Sequence, residues 1–195
     1  MSEQRQATGL FFGSFNPIHA GHMMIAQYML NYAGLDQLWF VITPQSPFKS
    51  RKSLLDNYQR LEIVNRAIGG HPRMRASDVE FRLPQPNYTV NTLSALSEKH
   101  PERSFELIMG SDNLLHFGKW RNYQYILDHY RIIVYPRPGS EEAPLLSHPS
   151  VRQVDAPLIE ISASFIREAI AEGRDMSFFV PEEAYRYIRE MHFYE

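Results

Sequence analysis

Between Gly9 and His22 the chain reads GLFFGSFNPIHAGH, and few local structures accommodate such a run. Leu10, Phe11 and Phe12 continue an apolar stretch that Gly13, Asn16 and Pro17 interrupt, the pattern of a short buried strand followed by a tight turn. From Met23 to Ala33 apolar residues recur at helical spacing, and Gly34 stands where a helix C-terminus favours glycine. The unit is therefore strand, turn, helix. In an open α/β sheet a turn of this kind lies at the carboxyl end of a strand, where ligands bind. Gly13 removes a side chain where backbone must approach something closely. The helix N-terminus behind it offers unpaired N–H groups to an anion. His19 and His22 share the first helical turn, so both can face one phosphate group. Two histidines can also ligate zinc, but no third ligand of the usual kind stands nearby.

The rest of the chain alternates in the same way. Residues 37–43 (QLWFVIT) read as a second buried strand ending at Pro44, followed by a loop over 45–53 that carries Lys49, Arg51 and Lys52. Asp56 caps a helix to Ile68, stopped by Gly69 and Gly70. Residues 74–79 suggest a short strand, 80–88 a loop, 89–98 a helix and 105–109 a strand that ends in Gly110-Ser111-Asp112. Short helices are expected over 114–117 and 123–127, and a buried strand over 131–135. One or two short strands follow within 151–161, then a helix over 162–171. A last helix begins at Pro181, with Ala184, Tyr187, Ile188 and Met191 on its inner face. Strands alternating with helices imply a parallel sheet with right-handed crossovers.

Several classes of protein are disfavoured. The chain has no cysteine, so disulfides, thiolate metal sites and a cysteine nucleophile are out. A formal net charge of -2 gives no global attraction to nucleic acid or to an anionic membrane. No apolar run approaches the ~20 residues that span a bilayer, and the polar first eight residues lack the core of a secretory signal. A cytoplasmic protein without nucleic-acid or membrane partners is expected, and a homo-oligomer is compatible with the sequence.

A second constellation lies at residues 161–167, ISASFIR. Ser162 suits a helix N-cap, and the hydroxyls of Ser162 and Ser164 with the free N–H groups make an anion site. Arg167 adds a planar fork that matches phosphate oxygens. Taken alone, an ordinary capped helix with a solvated arginine would read equally well.

Together, G-S-F-N-P-x-H-x-G-H and I-S-x-S-x-I-R resemble the nucleotidyltransferase α/β-phosphodiesterase superfamily. Within it, Tyr88-Thr89-x-x-Thr92-Leu93, Gly110-Ser111-Asp112, Trp120 and Arg137-Pro138-Gly139 fall in the order of the bacterial nicotinate mononucleotide adenylyltransferase family. The resemblance covers nearly the whole chain. It implies an α/β, Rossmann-like doubly wound, mainly parallel sheet flanked by helices. The whole of 1–195 is then one nucleotidyltransferase domain, with a small C-terminal helical part over about 160–195. It also implies the reaction of ATP with nicotinate mononucleotide to give deamido-NAD and pyrophosphate. Transfer to nicotinamide mononucleotide or pantetheine phosphate, cytidylyl transfer, or a non-catalytic nucleotide-binding domain, are the alternatives. A dehydrogenase is weaker, because the glycine pattern is not G-x-G-x-x-G.

On that resemblance His19 and His22 contact the ATP phosphates, Arg167, Ser162 and Ser164 hold the β- and γ-phosphates, and Lys49 closes over them. Gly13, Ser14, Phe15 and Phe165 belong to the ATP site. Thr89 takes the nicotinate carboxylate, Trp120 stacks on the pyridine ring, Asp112 contacts the ribose or phosphate side and Arg137 the mononucleotide phosphate. Mg²⁺ is expected on the triphosphate oxygens, with no protein side chain as ligand. Asn16 stands where many members carry aspartate, and Ala163 and Phe165 where hydroxyl residues are common.

Overall fold

The computed structural model describes residues 5–44, 54–140 and 143–195. Six strands form one parallel sheet: β1 (Gln6–Gly13), β2 (Gln37–Ile42), β3 (Met74–Ser77), β4 (Arg103–Gly110), β5 (Arg131–Tyr135) and β6 (Val151–Gln153). Their order is β3-β2-β1-β4-β5-β6. The chain steps outward from β1 to β3, then returns to the centre for β4. The strand order thus reverses between β1 and β4, and a crevice opens at their carboxyl ends. Those ends are Gly13 and Gly110, each followed by a motif singled out from the sequence.

Among the described residues seven helices connect and cover the strands: α1 (Ala20–Tyr32), α2 (Asn57–Ile68), α3 (Thr89–Lys99), α4 (Ser111–Leu114), α5 (Tyr123–His129), α6 (Ala163–Ala171) and α7 (Glu182–Glu190). Both faces of the sheet are packed, as a parallel sheet requires. Phe11, Phe40, Ile63, Ile166 and Ile188 lie in the core on one face. Leu10, Trp39, Leu93, Leu107 and Ile126 fill the other. Neighbours on one strand part to opposite faces because side chains alternate along it. Asp56 caps α2 by accepting from Tyr58 N at 2.8 Å, and left-handed Gly69 (φ 58°) ends it.

Several boundaries differ from expectation. β1 begins at Gln6, because polar Gln6 to Thr8 pair with Arg103 to Phe105. The strand expected over 74–79 stops at Ser77 and a 3₁₀ turn, Val79–Phe81, follows. The helix expected over 114–117 is replaced by α4, starting directly after β4, and a 3₁₀ turn Phe117–Lys119. Only β6 forms within 151–161. α7 starts at Glu182 with Pro181 as its cap, and Met191 lies past its end, 48% exposed rather than on the inner face. Among the described residues no helix is long and apolar enough to cross a membrane.

Candidate active site

The turn after β1 is built around a left-handed residue. Phe15 has φ 44° and is buried, and its ring folds back over Gly13, where an added Cβ would meet it at 2.9 Å. The close approach expected at Gly13 is thus made by the chain's own phenyl ring, while Gly13 also lines the cavities described below. The ring also meets Phe40 at 5.5 Å and His22 at 5.1 Å, edge on, which fixes one side of the imidazole.

His19 is the N-cap residue of α1 and His22 lies in its first turn. Their rings are stacked, and the His19 N–H donates to His22 Nδ1 at 3.3 Å. With Nδ1 accepting, the neutral His22 ring carries its proton on Nε2, leaving that N–H as its donor. Burial and the nearby Arg137 guanidinium push His19 down to about 4. Burial, His19 and Arg137 hold His22 well below the usual histidine range. Both imidazoles are thus neutral donors at physiological pH. Gly21 between them is closely flanked, because a Cβ there would come within 3.1 Å of His19 Nδ1 and of Ile159 and one of them would have to give way. The backbone of α1 contributes less to anion binding than the sequence implies. Its Ala20 N–H already donates to Phe179 O at 2.7 Å and its His22 N–H to His19 O at 2.9 Å.

Side chains distant in sequence hold the turn from behind. Arg60, wholly buried on α2, donates to the carbonyls of Ser14, Thr43 (2.9 Å) and Leu55 (3.1 Å) and to Asn57 Oδ1 (2.6 Å). It joins the rim ends of β1 and β2, and burial lowers its pKa. Arg167, on α6, donates through Nη1 to Asn16 O at 2.8 Å and through Nη2 to Ser164 Oγ at 3.1 Å. Asn16 Oδ1 accepts from Leu55 N at 3.2 Å and from the Tyr194 hydroxyl at 2.8 Å.

Two adjoining cavities open on the crevice. The smaller, about 270 Å³, is lined by Gly13, Ser14, Phe15, His19, His22, Arg137 and Ser162, with Ile25, Pro157, Ile159 and Ile161 as an apolar wall. The larger, about 740 Å³, is lined by Gly13, Ser14, Thr89, Trp120, Ser164 and Arg167, with Thr43, Glu80, Asn87 and Asn113. They share Phe11, Gly13, Ser14, Asn16, Tyr135 and Ala163. The phenol of Tyr135, pushed up to about 12 by burial, stays a hydroxyl in that common wall.

The histidines and Arg167, 145 or more residues apart in sequence by their numbering, thus border two neighbouring cavities that share a wall. Ser162 caps α6, its Oγ accepting from Phe165 N at 3.2 Å. Thr89 is the first residue of α3. Trp120 packs its ring 5.1 Å from Phe117.

Arg137 lies with the histidines in the smaller cavity rather than beside Trp120. Its backbone N–H donates to the buried Ser111 Oγ at 2.8 Å, and its side chain lies 3.9 Å from Asp112. Asp112 lines neither cavity. Phe165 lines neither, its ring packing on Phe179 at 5.5 Å. Lys49, Arg51 and Lys52 lie outside the described residues.

Glu80 carries no sequence signal, since it falls in a stretch that reads as loop. It is buried, its Oε1 accepts from Thr92 Oγ1 at 2.8 Å, and burial raises its pKa against the hydroxyls of Thr92 and Thr43. It sits behind the first turn of α3, in the wall of the larger cavity. Arg121 reaches across from the Trp120 side to lie 4.6 Å over the Tyr88 ring. Among the described residues no group of three or more His, Asp or Glu is placed to hold a metal ion. The donors gathered here are those of an anion site: N–H groups, hydroxyls and guanidinium forks.

The cytidylyltransferase-like family model matches residues 10–169. Three curated relatives, each named probable nicotinate-nucleotide adenylyltransferase, share 49% identity (Christiangramia forsetii), 48% (Flavobacterium johnsoniae) and 46% (Bacteroides fragilis). They align over 96%, 96% and 93% of this chain and 97%, 98% and 90% of their own. Among solved structures, the nicotinic acid mononucleotide adenylyltransferase of Plasmodium falciparum complexed with NaAD superposes with a TM-score of 0.80 at 20% identity, covering 97% of both chains. At that identity the likeness speaks for the fold.

Proposed function

The chain belongs to the cytidylyltransferase-like family, among the nicotinate-nucleotide adenylyltransferases, and from that premise we propose that it transfers the adenylyl group of ATP to nicotinate mononucleotide, yielding deamido-NAD and pyrophosphate. The observation that supports the reading best is the pair of cavities sharing the wall of Gly13, Ser14 and Tyr135. One has an apolar wall for a purine beside two neutral imidazoles. The other has Trp120 and the α3 N-terminus for a flat anionic heterocycle.

In this reading a phosphate oxygen of the mononucleotide attacks the α-phosphorus of ATP. The new P–O bond forms as the bond to the β-phosphate oxygen breaks, and pyrophosphate leaves with its electron pair. The nucleophile is already anionic, so no general base is needed and catalysis reduces to positioning and charge stabilisation. The His22 Nε2–H donates to a phosphoryl oxygen, with His19 as a second neutral donor. Arg137 adds positive potential beside them, and Arg167 with Ser164 holds the departing phosphates. Arg167 spends two of its five N–H donors on the protein (Asn16 and Ser164), leaving others for oxygen ligands. Mg²⁺ carried by the triphosphate, whose oxygens are its preferred ligands, would neutralise charge on the leaving group. The same reading places the protein in the cytoplasm, acting on small molecules.

The test is a substrate panel. ATP and CTP are each offered with nicotinate mononucleotide, nicotinamide mononucleotide and pantetheine phosphate, and pyrophosphate release is followed. ATP with nicotinate mononucleotide should give the highest kcat/KM. A preference for CTP or pantetheine phosphate would replace this reading with another transferase of the family.

A further inference from the structure

Residues 192–195, beyond α7, take an unusual path. His192 (φ 53°) and Tyr194 (φ 68°) are both left-handed, a conformation costly for side chains with a Cβ and retained only where surrounding structure imposes it. That path seats Phe193 in the core and brings the Tyr194 hydroxyl within 2.8 Å of Asn16 Oδ1, a contact across 178 residues of sequence. The same Asn16 gives its carbonyl to Arg167 at 2.8 Å. The neighbouring Ser14 carbonyl goes to Arg60. The guanidiniums of Arg167 and Arg60 both act on the Tyr194 phenol, yet burial prevails and keeps it protonated, as a donor.

We propose that Tyr194 is a positioning residue of the phosphate site: by donating to Asn16 it sets the carbonyl that orients Arg167 and the turn that carries His19 and His22. It lines neither cavity and does not touch the reacting groups. Its action passes through Asn16. The inference rests on the reading that Arg167 and the 14–22 turn hold ATP.

Tyr194→Phe in the full chain removes one hydroxyl and keeps the ring. KM for ATP should rise about tenfold while KM for nicotinate mononucleotide moves less than about twofold. Leu127→Ala, in the core on the other face of the sheet, is the control: it opens a cavity and lowers Tm but should leave KM for ATP at the wild-type value. Arg167→Lys combined with Tyr194→Phe should be non-additive. A Tyr194→Phe protein with unchanged KM for ATP, or strict additivity with Arg167→Lys, overturns the proposal. If the wild-type protein releases no pyrophosphate from ATP and nicotinate mononucleotide, the adenylyltransferase reading falls separately. The dissociation constant for ATP alone then decides: a rise in Tyr194→Phe sustains the positioning role, and an unchanged value overturns it.

Discussion

The imidazoles of His19 and His22 are stacked with 3.7 Å between ring centroids and 30° between planes. Two rings so close cannot both be protonated cheaply, and each is held neutral by burial and by Arg137. His19 titrates at about 4 in the fold against 6.5 for an ordinary histidine. Between those values the unfolded chain takes up a proton that the folded chain refuses, so the stability that neutral His19 contributes falls as pH drops through this window and is gone below about 4. Relative to His19→Gln, wild-type protein should lose Tm more steeply over that range in thermal scans.

His22→Ala should lower kcat at least ~100-fold while the circular dichroism spectrum is retained, the scale on which a preorganised donor to a developing anion acts. Near-normal turnover would remove His22 from phosphate stabilisation.

Gly21→Ala should set stability and activity against each other. Alanine favours an α-helix over glycine by about 1 kcal/mol, yet the new Cβ would sit 3.1 Å from His19 Nδ1. Tm should hold or rise slightly, and kcat should drop about tenfold as the stacked pair is pushed apart. A fall in Tm with kcat preserved would show that Ile159, the other neighbour, bears the strain instead.

Glu80 gives a pH signature of opposite sense. Burial raises its pKa above the ordinary 4.5. Its contribution to stability is therefore complete below about 4.5 and is lost as pH rises through the folded value. Glutamine keeps an acceptor for the Thr92 hydroxyl and carries no charge. The Tm of Glu80→Gln minus that of wild type should climb as pH rises above the ordinary 4.5, and a flat difference would show the carboxyl to be ionised throughout.

Elements whose signal is local are legible in the sequence. The unit of β1, turn and α1 announces itself by an apolar run that breaks at Gly13 and resumes at helical spacing, and Ser162 is a cap by residue type. The groups that shape the turn are not legible, because their roles depend on contacts across the chain. Arg60 falls in register with buried Ile63 and Val64, at spacings of three and four, so helical periodicity alone places it on the inner face of α2. Nothing local says that its partners are the carbonyls of Ser14 and Thr43. Glu80 sits in a proline-rich stretch without periodicity, and the Tyr194 contact depends on left-handed backbone that the sequence YIREMHFYE does not signal. Motif order assigns Arg137 to the mononucleotide, but its place beside the histidines comes from Ser111 anchoring its backbone.

All six strands are in place once residue 153 is laid down, whereas the turn at Ser14 to Asn16 receives Arg167 and Tyr194 only from the chain beyond that point. A chain that stops within the last helix keeps Arg167 but forfeits the tyrosine that braces Asn16, and its grip on nucleotide should slacken accordingly.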